Sequence, residues 1–324
     1  MREKCDIKMI QRLSGDDCGN ADGRAPEDRM MLESRRSNMT AVIEKISLYL
    51  RMIRFSHSIF ALPFAFTAAL IAASGIPSMG QALWITLAMI GARSGAMGLN
   101  RIIDRKIDAD NPRTAGREIP RGVIPVGEAV GFVVLSFVLM VFAASMLNPL
   151  CLILSPVAIG VLFLYSFTKR FTWMAHFVLG LAISAAPLGA WIAIRGTFDP
   201  GVLPMTFAVI FWLAGFDALY ALQDMEFDQR YGLFSIPQRF GIGKTLFIAR
   251  ACHVAAFGLL VVNGRVFSLG GLYWAGMAVV AGLFLYEHML VRKDDLSRLN
   301  MAFFNMNGYI SMTVFVFTLA DFLI

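Results

Sequence analysis

The stretch GLNRIIDRKIDADNPRTAGREIPRG, residues 98–122, follows directly on an apolar run. Asn100, Asp104 and Asp108 recur in it at intervals of four, and Arg113, Arg117 and Arg121 follow. Charge this dense at the edge of a bilayer is costly unless it has a task. On an α-helix, residues four apart share a face about 6 Å apart. Asp104 and Asp108 therefore point the same way, with Asn100 one turn deeper.

That reading needs a membrane, and the composition supplies one. The 324 residues are 57% hydrophobic and 16% charged, with mean hydropathy +0.63. A soluble chain carries about a quarter charged residues. Apolar runs predict nine spans, at about 57–74, 81–99, 125–147, 149–166, 174–194, 203–221, 245–263, 268–290 and 302–323. No alternating apolar and polar pattern marks a β-barrel. The expected fold class is an all-α polytopic membrane bundle.

The net charge of +6 is unevenly spread. One family of connections holds Arg101, Arg105, Lys106, Arg113, Arg117, Arg121, Lys169, Arg170, Arg230, Arg239, Lys244, Arg292, Lys293 and Arg298, whereas the other holds Arg195 and Arg265. Positive loops stay cytoplasmic. The N-terminus is then inside, the C-terminus outside, and the acids lie at the cytoplasmic face of the plasma membrane.

Residues 1–38 are polar and mixed in charge, which predicts a disordered tail. They contain no apolar core of a signal peptide, and Met30, Met31 or Met39 could serve as start. TAVIEKISLYLRMIR, residues 40–54, sets Val42, Ile46, Tyr49, Leu50 and Ile53 on one face, as in an interfacial helix. The membrane domain is then 40–324. Cys5, Cys18, Cys151 and Cys252 form no CxxC pair and predict free thiols. His176, His253 and His288 lack metal-ligand spacing and predict structural roles.

A second ladder lies in DALYALQDMEFD, residues 217–228, with Tyr220, Asp224 and Asp228 again four apart. Two acid-bearing helix ends suggest two halves facing one cavity. Acids do little for topology, so the positive-inside rule does not explain them. Like charges this close need a cation, and Mg²⁺ takes carboxylate oxygens while leaving room for phosphate. Arg113, Arg117, Lys169 and Arg170 suit a diphosphate. A diphosphate at the mouth of an apolar bundle implies a lipid tail. Breaking its allylic C–O bond leaves charge on the diphosphate for cations to stabilise, and a cation that attacks an electron-rich acceptor. Asp217 could help deprotonate a phenol. An ion-coupled transporter is the competing class, since acids in spans mark ion pathways. The many bases favour an anionic ligand. Nothing points to nucleic acid or to an obligate protein partner.

These segments resemble the UbiA family of intramembrane aromatic prenyltransferases. NRIIDRKID is similar to its first motif, NxxxDxxxD, and DMEFD to its second, DxxxD. YSFTKRFTWMAHFVLG resembles its YxxxKR segment, and IRFSHSIFALPFA its entry to the first helix. The resemblance covers about residues 45–324. It implies nine transmembrane helices around a central cavity and Mg²⁺-dependent transfer of a polyprenyl group from its diphosphate to an aromatic ring. It implies metal and diphosphate roles for Asn100, Asp104, Asp108, Asp224 and Asp228, with diphosphate contacts from Lys169 and Arg170. Tyr165 would line the cavity. Arg54 and His57 fall where the acceptor enters. Tyr220 is either cavity wall or packing. SHSIFALPFA, YALQDMEFD and GLFSIPQRFG look closest to a 4-hydroxybenzoate polyprenyltransferase branch of quinone biosynthesis, ubiquinone or menaquinone. The implied acceptor is 4-hydroxybenzoate or 1,4-dihydroxy-6-naphthoate. Haem, chlorophyllide and a glycerol phosphate ether are other acceptors in the family.

Overall fold

The computed structural model describes residues 44–45, 47–53 and 61–324. The polar tail 1–38, Arg54 and His57 lie outside the described residues. Residues 44–45 and 47–50, in a first unit, are helical, within the predicted interfacial helix. Arg51–Ile324 form the second unit.

Every predicted span is a helix among the described residues. They are α1 (Ala61–Ala73), α2 (Met79–Ile103), α3 (Val126–Leu147), α4 (Pro149–Thr168), α5 (Ala175–Arg195), α6 (Leu203–Tyr220), α7 (Ile236–Val266), α8 (Gly271–Leu290) and α9 (Asn307–Leu323). Seven of these segments are long and apolar enough to cross a membrane. The other two are α1, described over 13 residues, and α8, which carries Glu287 and His288 near its end. The described residues contain no β-strand, only an isolated bridge between Arg292 and Asp295.

The ends of these helices are written locally. Ser78 and Gln81 form a capping box at α2. Asn148 caps α4, and its amide also donates to Ile192 O at 2.9 Å. Gly196 ends α5 at φ 71°. Asp321 of α9 accepts from the backbone of Gly270, Leu272 and Tyr273 at 2.6, 3.2 and 3.3 Å, capping α8 from another helix. α7 starts at Ile236, earlier than expected, because Ser235 caps it and Pro237 sits in its first turn. Gly241, at φ 74°, then breaks this first turn from the long span.

Packing follows a ring. α1 lies against α5 and α9, and α5, α6, α7, α8 and α9 pack in sequence. α2, α3 and α4 pack together and meet α5. Lipid gives no hydrophobic drive between helices, so close approach of small residues carries association. A Cβ at Gly91 of α2 would lie 2.6 Å from Ser136 O of α3, and one at Gly180 of α5 would lie 2.6 Å from Ile210 O of α6. Phe64, Trp191, Trp212, Phe216, Tyr273 and Phe284 fill the larger half. There His253 Nδ1 and His288 Nε2 are 3.0 Å apart, and Asn307 Nδ2 donates to buried Glu287 Oε1 at 3.2 Å. These contacts join α7, α8 and α9, so His253 and His288 sit in a polar knot inside the bundle.

Candidate active site

The two acid ladders leave α2 and α6 in matching ways. The backbone steps out of helix at Asp104 (φ −88°, ψ 2°) and at Asp224 (φ −102°, ψ 1°). Each aspartate then starts a short helix, Arg105–Asp110 or Met225–Tyr231. The ladders are therefore not uninterrupted helices, as the spacing alone suggests. Asp108 N–H still reaches Asp104 O at 2.8 Å, so the first pair keeps its i,i+4 relation. The same break thus recurs at the same place in both motifs.

Nearly every acid has a basic partner. Asp104, 1% exposed, takes Lys169 Nζ at 2.5 Å and Arg170 at 2.9 Å, both from the end of α4, and Asn100 Nδ2 at 3.2 Å. Asp108 takes Arg117 at 2.6 Å. Asp224 takes Arg113 through two nitrogens, at 2.8 and 2.5 Å, and Asn111 Nδ2 at 3.2 Å. Asp228 takes the hydroxyl of Ser235 at 2.8 Å. Burial works against the charge on Arg113, yet its hydrogen bonds to Asp224 and the charges of Asp224, Tyr220 and Asp108 together outweigh this and hold its pKa above the ordinary arginine value. Among the described residues, no three His, Cys, Asp or Glu side chains converge as metal ligands. The carboxylates are held apart, each on its own partner.

These bonds also join the halves. Arg113 reaches from the α2–α3 loop to the end of α6, and Tyr231 OH donates to Asp110 at 3.0 Å. Phe234 N–H reaches Lys169 O at 2.8 Å. Beside them lies a cavity of about 320 Å³ lined by Arg51, Arg101, Arg113, Arg117, Glu118 and Met52. Arg101 Nε donates to Met52 O at 3.3 Å.

One turn deeper the wall changes. Tyr220 stacks on Phe303 at 4.0 Å, and Arg113 lies 5.5 Å over its ring. Phe303 belongs to a π-turn, Ala302–Met306, whose Ala302 and Phe303 carbonyls accept from Asn307 Nδ2. Tyr220 is thus packed between the π-turn and Arg113. Tyr165 of α4 is half-buried and feels the charges of Asp104 and Asp217. Asp217 Oδ2 lies 2.7 Å from His176 Nδ1, and His176 Nε2 accepts the Ile236 N–H at 3.2 Å. The neutral imidazole therefore carries its proton on Nδ1 and donates to Asp217. Spacing does not reveal this pair, whose members are 41 residues apart. Arg93, inside α2, is a second residue that motif spacing does not single out.

An all-helical, multi-pass membrane protein with paired acid motifs and basic partners at one end of its bundle is the class these features define. The chain belongs to the UbiA prenyltransferase family, whose model matches residues 61–309. It is a prenyltransferase. A 4-hydroxybenzoate octaprenyltransferase of Vibrio cholerae serotype O1 is 32% identical over 279 residues, covering 85% of this chain and 97% of that one. The apo structure of a UbiA homolog from Aeropyrum pernix K1 matches with TM-score 0.75 at 29% identity, over 82% of this chain and 98% of that one. A UbiA homolog from Archaeoglobus fulgidus, bound to GPP and Mg²⁺, shares the fold with TM-score 0.64 at 21% identity, over 86% of this chain and all of that one.

Proposed function

We propose that the protein transfers a polyprenyl group from its diphosphate to 4-hydroxybenzoate, within quinone biosynthesis. The observation that carries this is the acid–base constellation at the mouth of the apolar bundle, in a chain similar along most of its length to a 4-hydroxybenzoate octaprenyltransferase.

The donor set fits a magnesium ion: hard carboxylate oxygens from Asp104, Asp108, Asp224 and Asp228, with the Asn100 amide beside them. Their present partners are cations or hydroxyls that can turn to phosphate instead. When bound, Mg²⁺ would neutralise charge on the departing diphosphate. Lys169 and Arg170 stand where they contact the same diphosphate once released from Asp104, and Arg113 and Arg117 do so from the cavity side. Tyr165, Tyr220 and Phe303 line the apolar wall along which the prenyl chain lies and exclude water from the allylic cation. Asp217, held by His176, accepts the proton that the acceptor's hydroxyl or ring gives up. The base-rich end of the bundle faces the cytoplasm, by the distribution of Lys and Arg.

The test uses purified protein, Mg²⁺ and a polyprenyl diphosphate, with 4-hydroxybenzoate and 1,4-dihydroxy-6-naphthoate offered side by side and products weighed. Prenylated 4-hydroxybenzoate that disappears with EDTA is the expected result. Product from the naphthoate alone overturns the acceptor, and product unaffected by EDTA overturns the metal.

A further inference from the structure

Four polar side chains sit together inside the bundle, outside the two acid motifs: His253 of α7, Glu287 and His288 of α8, and Asn307 of α9. Glu287 and Asn307 are fully buried, and His253 is 2% exposed. Polar groups are costly there unless they satisfy one another or serve a function. Part of the group satisfies itself. His253 Nδ1 lies 3.0 Å from His288 Nε2 and 3.7 Å from Glu287 Oε2. Asn307 reaches further. Its Nδ2 donates to Glu287 Oε1 at 3.2 Å, and also to the carbonyls of Ala302 and Phe303 at 3.2 and 3.1 Å. Those two carbonyls belong to the π-turn Ala302–Met306.

A π-turn gives up regular helical hydrogen bonds, and a side chain that supplies substitutes lets it persist. It also adds a residue to the turn, which rotates the residues at its start by about 100° relative to those of α9. Phe303 is thereby aimed at α6. Its ring meets Phe216 edge-on at 5.3 Å and stacks on Tyr220 at 4.0 Å, and Phe304 meets Tyr220 edge-on at 6.0 Å. Tyr220 in turn holds Arg113, which lies 5.5 Å over its ring and donates from Nη1 to its hydroxyl at 3.4 Å. The same guanidinium takes both carboxylate oxygens of Asp224, at 2.8 and 2.5 Å. The polar group touches α6 directly as well. A Cβ at Gly215, five residues before Tyr220, would lie 2.5 Å from the His253 ring.

We infer that Asn307, braced by Glu287, is a positioning residue for the second acid motif: it holds the π-turn that seats Phe303 on Tyr220, and so fixes the fork between Arg113 and Asp224. The inference rests on that motif's holding metal and diphosphate, as in the proposed function. Among the described residues Asn307 bonds to no member of either acid motif, so its effect passes through Phe303.

The experiment is a double-mutant cycle on the full chain in detergent. One arm is Phe303→Leu. The other is Asn307→Leu combined with Glu287→Met, which removes the amide and its acceptor together and strands no buried carboxylate. Two quantities are read. One is the Mg²⁺ concentration for half-maximal turnover with a polyprenyl diphosphate and 4-hydroxybenzoate. The other is the rise in Tm with Mg²⁺ and inorganic pyrophosphate, which has no tail and so excludes lost contact with the prenyl chain. An aromatic pair is worth about 2- to 10-fold in an equilibrium constant. Each arm is expected to raise the half-saturating Mg²⁺ by that factor and to shrink the Tm rise. The combined variant is expected to do no worse than the worse arm, because both break one chain of contacts. Glu287→Gln, which keeps the oxygen that takes the Asn307 amide, is expected to behave as wild type. Losses that multiply in the combined variant overturn the inference. So does an Asn307→Leu/Glu287→Met protein that melts lower yet needs no more Mg²⁺ than wild type. A wild type that needs Mg²⁺, with neither arm changing the requirement, overturns this inference alone. A wild type indifferent to Mg²⁺ in both readings overturns the metal of the proposed function together with it.

Discussion

At the residue scale, the proposed function divides the paired side chains into those that bind and those that hold. Asp104 accepts from Lys169, Arg170 and Asn100 at once. Asp104→Ala leaves two cations unpaired and deletes the central oxygen donor. Turnover is expected to fall about 10²- to 10³-fold or more, while membrane insertion persists, read by diphosphate release and by fractionation. His176 acts through Asp217. His176→Ala frees the aspartate to rotate and strands the Ile236 N–H. The expected result is kcat about tenfold lower or worse, with KM for the prenyl diphosphate unchanged. Partial recovery in His176→Asn, whose amide can still donate to Asp217, separates positioning from a general loss of fold. Which acids gather at the helix ends is legible in the sequence, because spacing by four is visible there. Which bases sit on which acid is not. Arg113 pairs with Asp224 across 111 residues, a contact that only tertiary packing creates.

At the element scale, the nine helices are legible because each is a long apolar run bounded by Pro, Gly, Asn or charge. The misses are instructive. The short piece at residues 236–240, before Gly241, falls outside the expected spans, yet Ser235 and Pro237 make it a helical turn. The breaks at Asp104 and Asp224 are invisible to helical spacing, since neither is a glycine or proline. Gly91→Val places side-chain carbon against the backbone of Ser136 and Met140 of α3. It is expected to lower stability by about 1–3 kcal/mol, seen as a drop in Tm in detergent. Asp321→Ala removes the acceptor that caps three backbone N–H groups at the start of α8. The expected loss is about 1–2 kcal/mol with the acid motifs undisturbed, so Tm falls and turnover at low temperature does not.

At the scale of the whole molecule, charge asymmetry and site coincide. Two of the connections rich in Lys and Arg follow the acid motifs, so under the proposed function one end of the bundle is both topology signal and reaction centre. In a variant stripped of native cysteines, Ser297→Cys sits in an exposed connection at that end and Thr197→Cys in an exposed connection at the other. An impermeant thiol reagent is expected to label Ser297→Cys in inside-out vesicles and Thr197→Cys in right-side-out ones. Labelling in the reverse sense means that the base-rich end faces outwards.

The ion pairs at the mouth have one more consequence. Asp104, Asp108 and Asp224 have Lys169, Arg170, Arg117 and Arg113 as counterions. Together these pairs form an internal salt across the two acid motifs. Under the proposed function, loading it is a double displacement, in which the acids pass to the metal and the bases pass to the diphosphate. Charge is exchanged and never left uncompensated at the bilayer edge, where an isolated ion is costly. Neither ligand alone completes that exchange, because each would release one set of charges without a new partner. The metal and the prenyl diphosphate are therefore expected to bind as one unit, each strengthening the other's hold.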